Sequence, residues 1–415
     1  MSALGSDSWI CASGYDEGDE LHTRVTDFVK RIDWDSLTNI ASSLRNGFKC
    51  TLSEKYSVGH FNLVRKLVFE DGVSWVARLR MPLLQNVFGT REALDVASSM
   101  RIEIATAKYL AYVPHASAEI PLLTSPRKHT TIPVPEIFHH DLQEENTVGA
   151  PYLLMSYING NVASELQSAI GLDQSTFGSA EQDEKFWDQI ADIQVQLANL
   201  RFDKTGSLFE TADGGFEIGR ELETGKGPWT SVSAYYRDPA SHVKVVAEKD
   251  ASPDIRESAS FGGIPESFPR LMHALEDASQ GSIGLVNRDF GAHNVLVNSS
   301  FEIIGLIDLH GVMAAPIEKV AQLPLFMAAK REPPGVPETR PAAIERIKEY
   351  AHLIPRYTEL VRRKGAAQLA DALVSDAASV VQGLDAYGQH SLFVNERWWK
   401  AYEQLLAKTS ETRGE

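Results

Sequence analysis

Cysteine is nearly missing from this chain: Cys11 and Cys50 are the only two in 415 residues. So sparse a pair gives no disulfide framework, and a reducing, cytoplasmic compartment is predicted. Long apolar runs are missing too. No stretch reaches 18 apolar residues, so no membrane-spanning helix and no membrane partner are predicted. Met1 to Glu20 is polar and acidic, without the apolar core of a secretory signal. Positive charge is in deficit: 40 Lys and Arg face 56 Asp and Glu, for a formal charge of −16. Nucleic-acid surfaces need clustered basic residues, so that class of partner is excluded. No internal repeat is visible. What is present, 43% apolar and 23% charged residues, suits a soluble globular chain long enough for more than one lobe.

The chemistry concentrates in Val286-Asn287-Arg288-Asp289-Phe290-Gly291-Ala292-His293-Asn294-Val295-Leu296-Val297, followed by Glu302 to Asp308. Ser282–Val286, Val295–Val297 and Ile303–Ile307 are too short for helices and rich in β-branched residues, so three strands are predicted. Asp289, Asn294 and Asp308 then fall at strand ends and loop positions. An Asp, an Asn five residues on and a second strand-terminal Asp can make a metal-phosphate site. The first carboxylate would orient a hydroxyl, while the Asn oxygen and second Asp would be hard ligands for Mg²⁺. The same spacing occurs in the kinase catalytic loop. The alternative is a hairpin that uses Asp and Asn as ordinary turn residues.

Upstream, Asp19–Arg31 and Asp35–Leu44 read as amphipathic helices, the second stopped by Asn46-Gly47. Strands follow at Cys50–Ser57, Phe61–Glu70 and Val73–Arg80, the last two joined by Asp71-Gly72, a two-residue hairpin signal. The turn Ser57–Asn62, with Gly59 and Phe61, could bring backbone N–H groups to a phosphate or be a plain loop. Arg78 and Arg80 share one face of the third strand, with solvent exposure as the ordinary outcome for both. A helix is predicted over Arg91–Tyr112, carrying Glu92 and Glu103. Pro121–Pro135 reads as loop, and Val134–His140 and Pro151–Ile158 as strands. Asn159-Gly160 ends this part as a five-stranded, mostly antiparallel lobe with one helix. Beyond it, Glu181–Phe202 places Phe186, Ile190, Ile193, Leu197 and Leu200 on one helical stripe. Residues 203–263 read as an irregular, weakly structured insertion. Pro265–Ala278, Glu345–Arg362, Ala366–Gln382 and Phe393–Lys408 read as helices. The implied division is 1–48 as a helical extension, 49–159 as a small sheet lobe and 160–415 as a helical lobe.

Several short motifs in order resemble the aminoglycoside phosphotransferase family of kinase-like small-molecule kinases, in its fungal branch. They are Gly59-His60-Phe61-Asn62, Trp75-Val76-Ala77-Arg78, Glu103, Pro151-Tyr152-Leu153-Leu154-Met155 and the Asp289/Asn294/Asp308 set, over about residues 50–325. Gly206-Ser207-Leu208 and Gly227-Pro228 resemble the fungal branch in particular. The resemblance implies an α+β, two-lobed protein-kinase-like fold, a small antiparallel sheet with one helix followed by a larger helical lobe. It implies an ATP- and Mg²⁺-dependent phosphotransferase acting on a small-molecule hydroxyl, as a monomer or weak homodimer. Asp289 then matches the catalytic base, and Asn294 and Asp308 the metal ligands. Arg78 stands where most relatives have a phosphate-binding Lys, and Glu103 where its helix partner sits. Gly59, Phe61 and Asn62 form the turn over the nucleotide, Met155 lines the adenine pocket, and Ser156 to Ile158 is the hinge.

The chain departs from the family pattern at three places. Asn287 replaces a His, Phe290-Gly291-Ala292 replaces Leu-His-Pro, and Leu309-His310 follows Asp308 in place of Trp-Glu. These leave two other expectations: a pseudokinase-like binding module, or a kinase-fold enzyme of secondary metabolism with altered chemistry. Protein-kinase activity is disfavoured, since no Ala-Pro-Glu pattern follows Asp308.

Overall fold

The computed structural model describes residues 5–82, 94–111, 130–173, 175–250, 252–275, 282–327, 331–384 and 395–413. Glu92 and the expected helix start at Arg91, most of the proline loop from Pro121, and Phe393 lie outside the described residues. The chain divides into two compact units. One comprises residues 1–90, 95–171 and 293–308; the other comprises 91–94, 172–292 and 309–415.

The first unit begins with α1 (Glu20–Arg31) and α2 (Trp34–Leu44), each capped by the Asp before it: Asp19 accepts from Leu21 N–H and Asp33 from Ser36 N–H. Strands β1 (Cys50–Val58), β2 (Asn62–Phe69), β3 (Ser74–Arg80), β4 (Ile137–Asp141) and β5 (Tyr152–Ser156) form one antiparallel sheet in the order β1-β2-β3-β5-β4. The β2–β3 connection is not a two-residue turn but residues 70–73. Phe69 N–H donates to the Val73 carbonyl across Glu70-Asp71-Gly72, and Gly72 takes φ +84°. A left-handed third position lets the turn follow the twist of the strands it joins.

The period-two alternation of β3 and β5 fills both faces of that sheet. Val25, Phe28, Leu37 and Ala41 of α1 and α2 pack with Leu63, Leu67, Trp75, Leu79, Tyr152 and Leu154. On the opposite face Leu153 packs with Met100 and Ile104 of α3 (Val96–Ala111). Arg78 is the β3 partner of Leu153 and therefore faces α3. The unit is completed by β6 (Asn161–Val162), α4 (Ala163–Ala169) and a returning segment, numbered in chain order as β10 (Val295–Val297) and β11 (Ile303–Leu306). These strands form the sheet β11-β10-β6.

The second unit opens with α5 (Ala180–Asn199), whose start is a capping box between Ser179 and Gln182. Its expected stripe is buried, with Phe186 and Ile190 at 0% exposure. Ile190→Ala is expected to lower stability by about 2–5 kcal/mol, read as a shift in urea unfolding midpoint.

Residues 203–263 are not the weakly structured insertion expected. They form β7 (Gly206–Glu210), β8 (Phe216–Gly219), α6 (Val232–Asp250) and α7 (Pro253–Glu257), and they start α8 (Ala259–Leu275). Pro239 lies inside α6, and Pro265 and Pro269 inside α8. A Pro removes one backbone hydrogen bond. The buried stripe Phe261, Ile264, Phe268 and Leu271 carries α8 through its two, so Pro265 does not start the helix. β8 and β7 join β12 (Val312–Pro316) and β9 (Ile283–Asn287) in the order β8-β7-β12-β9.

After the single turn α9 (Ile317–Val320), the expected helix 345–362 is two helices, α10 (Pro341–Tyr350) and α11 (Leu353–Arg363). The expected helix 366–382 is likewise α12 (Ala367–Ala372) and α13 (Asp376–Leu384), and α14 (Glu396–Arg413) ends the chain. No helix among the described residues is long and apolar enough to cross a membrane.

Candidate active site

Arg78 and Arg80 are both buried, at 8% exposure each, so the solvent-exposed outcome does not apply. The Arg78 guanidinium is paired with Glu103 of α3, and its Nη2 also donates to Asp308 Oδ1 at 3.0 Å. With the Asn62 amide turned oxygen-inward, Asn62 Oδ1 accepts from Arg78 Nη2 at 2.7 Å. Burial works to lower the Arg78 pKa, but the charges of Glu103 and Asp308 outweigh it and raise it, so the guanidinium is fixed as a cation. Arg80 is 4.7 Å above the Phe61 ring. Gly59 N–H closes the β1–β2 turn on the Asn62 carbonyl at 2.9 Å.

Asn294 and Asp308 are brought to one end of a hairpin by its register. Val295 pairs with Leu306, and Ile307 N–H donates to the Asn294 carbonyl at 3.0 Å. Asp308 has φ +59°, the left-handed region that Asp tolerates better than most residues at a cost of about 1 kcal/mol or more. The charges of Arg78, Glu103 and Asp308 sum to −1, which an added cation would offset. Among the described residues there is no group of three or more His, Cys, Asp and Glu able to hold a metal. An all-protein cage is therefore not formed there. One Asn oxygen and one carboxylate instead fit Mg²⁺, which commonly takes one or two protein ligands together with phosphate and water.

Met155 is buried in β5 opposite Val76. Ser156, at the end of β5, is already engaged: its N–H donates to the Glu136 carbonyl and its Oγ accepts from Glu136 N–H, both at 2.9 Å. Tyr157 N–H donates to Ser74 O at 3.3 Å, and the Ile158 carbonyl accepts from Gly160 N–H.

In the second unit, Asp289 follows β9 in a turn made by its neighbours. Its N–H donates to Asn287 Oδ1 at 3.1 Å and its carbonyl accepts from Gly291 N–H at 2.9 Å. Asn287 thus holds the turn through a side-chain acceptor. Leu309 and His310 are buried, and His293 is exposed.

Three residues that the sequence did not flag stabilise this loop. Arg288, with a side chain 3% exposed, donates Nε to the Gly311 carbonyl at 3.1 Å and Nη1 to Glu221 Oε1 at 2.8 Å and Glu223 Oε2 at 3.3 Å. Glu221 also accepts from Glu223 N–H, Thr224 N–H and the Thr224 hydroxyl. The one local hint was an Arg directly after the apolar run of β9. Nothing local marks Glu221 and Glu223 as buried.

The site so far is a buried cation held by two carboxylates, one of which, Asp308, shares a hairpin end with Asn294. The family model for the phosphotransferase enzyme family (APH) matches residues 103–318, more than half of the chain, and the chain belongs to that family. A subtelomeric hrmA-associated cluster protein of Aspergillus fumigatus is 26% identical over 164 residues, which is 40% of this chain and 26% of that protein. The chain thus spans about a quarter of the length of the curated relatives it matches. Among solved structures, a Ralstonia eutropha protein described as an aminoglycoside phosphotransferase is 14% identical, with a TM-score of 0.49 over 92% of this chain and 99% of that one. The macrolide 2′-phosphotransferase of Brachybacterium faecium is 15% identical, with a TM-score of 0.43 over 90% and 97%.

Proposed function

We propose that the protein transfers a phosphoryl group from ATP to a hydroxyl of a small molecule, with Mg²⁺. The observation that carries this reading is Arg78, buried, permanently charged and held by Glu103 and Asp308 beside the hairpin end that bears Asn294. A guanidinium in this position would bind the nucleotide's phosphate oxygens, two at once through its planar fork. Asn294 and Asp308 would hold Mg²⁺, whose contribution is to neutralise charge on the phosphates. The Gly59–Asn62 turn would lie over the nucleotide and Met155 would line the adenine pocket. Ser156 N–H is consumed by Glu136, so Ile158 N–H is the hinge donor assigned to adenine. Asp289 would accept the acceptor hydroxyl's hydrogen bond and orient its oxygen for attack. In this chemistry positioning and charge compensation supply most of the catalysis.

The absence of the usual His at Asn287 does not count against this reading, because Asn287 Oδ1 itself holds the Asp289 turn. Asp308→Ala tests it. Calorimetry on the folded variant should show Mg²⁺-dependent ATP binding weakened by about tenfold or more, as expected for losing a charged contact worth ~1.5–3 kcal/mol. Wild-type protein that binds ATP no better with Mg²⁺ than without it refutes the proposal.

A further inference from the structure

A single 3₁₀ turn, Gly5–Ser8, is tied to the segment that follows β5 by contacts that the proposed chemistry leaves unexplained. Gly5 N–H donates to Asn161 Oδ1 and Ser6 N–H to Tyr157 Oη, each at 2.8 Å. The Tyr157 hydroxyl reaches Ser6 Oγ at 3.3 Å and Asn159 Oδ1 at 3.1 Å. Lys66 of β2 donates to Ser6 Oγ at 3.4 Å, and its ammonium is 4.3 Å from the centre of the Tyr157 ring. Trp9 meets the same ring edge-on, with centroids 6.5 Å apart. Lys55 of β1 donates to the Asp7 carbonyl at 2.6 Å.

One turn therefore joins two sheet strands to both ends of the Tyr157–Asn161 stretch. Asn161 is also the β6 partner of Val297 on β10, the strand that Asn294 leads into. The fit is steric as well as polar. Gly5 has φ +60°, and a Cβ there would overlap Tyr157 Oη and Asn159 Oδ1. Only glycine satisfies both the backbone conformation and the space.

We infer that Gly5–Trp9 is a clasp that positions the Ser156–Asn161 hinge and so sets the affinity for nucleotide, with Gly5, Ser6 and Tyr157 as positioning residues. This rests on the reading of Ser156–Ile158 as the edge that receives adenine. A hinge released from the clasp samples other conformations, and apparent affinity falls in proportion to the competent fraction. The phosphate end of the site, with Arg78, Asn294 and Asp308, makes none of the clasp contacts. The effect should therefore fall on binding and not on the chemical step.

The test compares wild type, Gly5→Val and Tyr157→Phe as full chains. Gly5→Val should raise the Kd for ATP with Mg²⁺ by about tenfold, as expected if the hinge is competent about a tenth of the time, with kcat at saturating ATP nearly unchanged. Tyr157→Phe, which keeps the ring and loses the hydroxyl, should show a smaller rise in the same direction. It also keeps the test intact if the valine variant fails to fold. Hydrogen exchange at the Tyr157–Val162 amides should be faster in both variants. Unchanged nucleotide affinity in a variant with faster exchange overturns the inference, as does unchanged exchange. If wild-type protein binds no ATP, the functional reading fails separately. The clasp is then decided by exchange alone: faster exchange supports it as the element that positions this segment, and unchanged exchange overturns it.

Discussion

Asp289→Asn is expected to keep the fold and the affinity for ATP while lowering turnover by about 10²- to 10⁴-fold, or ~3–5 kcal/mol of barrier. The substitution is nearly isosteric. Both contacts shown for the turn use the Asp289 main chain, through Asn287 Oδ1 and Gly291 N–H, so the turn survives the change. On the proposed role, what is lost is the carboxylate charge that would orient and accept from the attacking hydroxyl. The competing account, in which Asp289 serves only as a turn residue, predicts a stability loss of about 1 kcal/mol with turnover per folded molecule nearly intact. Initial rates normalised to folded protein separate the two, and a near-wild-type rate ends the catalytic assignment.

The second large effect is expected at Arg288. Arg288→Met fills a similar volume but leaves Glu221 and Glu223 buried without their cation, which should cost about 3–5 kcal/mol in chemical unfolding. Adding Glu221→Gln to that variant should recover part of the loss, because one uncompensated charge is then removed. The pH dependence carries the sign. In the wild type, burial pushes the Glu221 pKa up, but Arg288 and the Glu223 and Thr224 donors together bring it below the ordinary 4.5. Its stabilisation is therefore present above the unfolded-state value and lost as pH falls through the lower folded one. In Arg288→Met burial prevails, the folded pKa rises, and the variant should gain stability as pH falls from 7 toward 5. Unfolding midpoints across that range check the sign. A variant whose midpoint does not rise relative to wild type over that range contradicts the buried-pair account.

Local pattern made much of the first unit legible. The strand signals located β1, β2, β3 and β5 within a residue or two and β4 within three, because side chains that alternate between the two faces of a sheet leave a local period of two. The two amphipathic helices at the start and the apolar stripe of α5 were equally readable, since each depends on residues within one or two turns. The strands around Asp289, Asn294 and Asp308 followed from apolar, β-branched runs too short for helices, and the spacing of those residues made them candidates.

Tertiary structure alone decided the rest. Residues 203–263 carry too few local signals and too many breakers, yet α6 and α8 continue through their prolines because burial of Tyr235, Tyr236, Phe261, Ile264 and Phe268 outweighs the lost hydrogen bonds. By the ordinary fate of Arg both Arg78 and Arg80 would face solvent; the resemblance implied Glu103 as the partner of Arg78, but only the fold added Asp308 of the β10–β11 hairpin to that pair and set Arg80 over the Phe61 ring. Glu221 and Glu223 became partners of Arg288 only when β7 and β8 joined the sheet of β9 and β12. The sequence by itself determined which residues could do chemistry and which strands would carry them. Which charges are buried together is a property of long-range contacts, and the energy of a buried charge depends on the partner that folding brings to it.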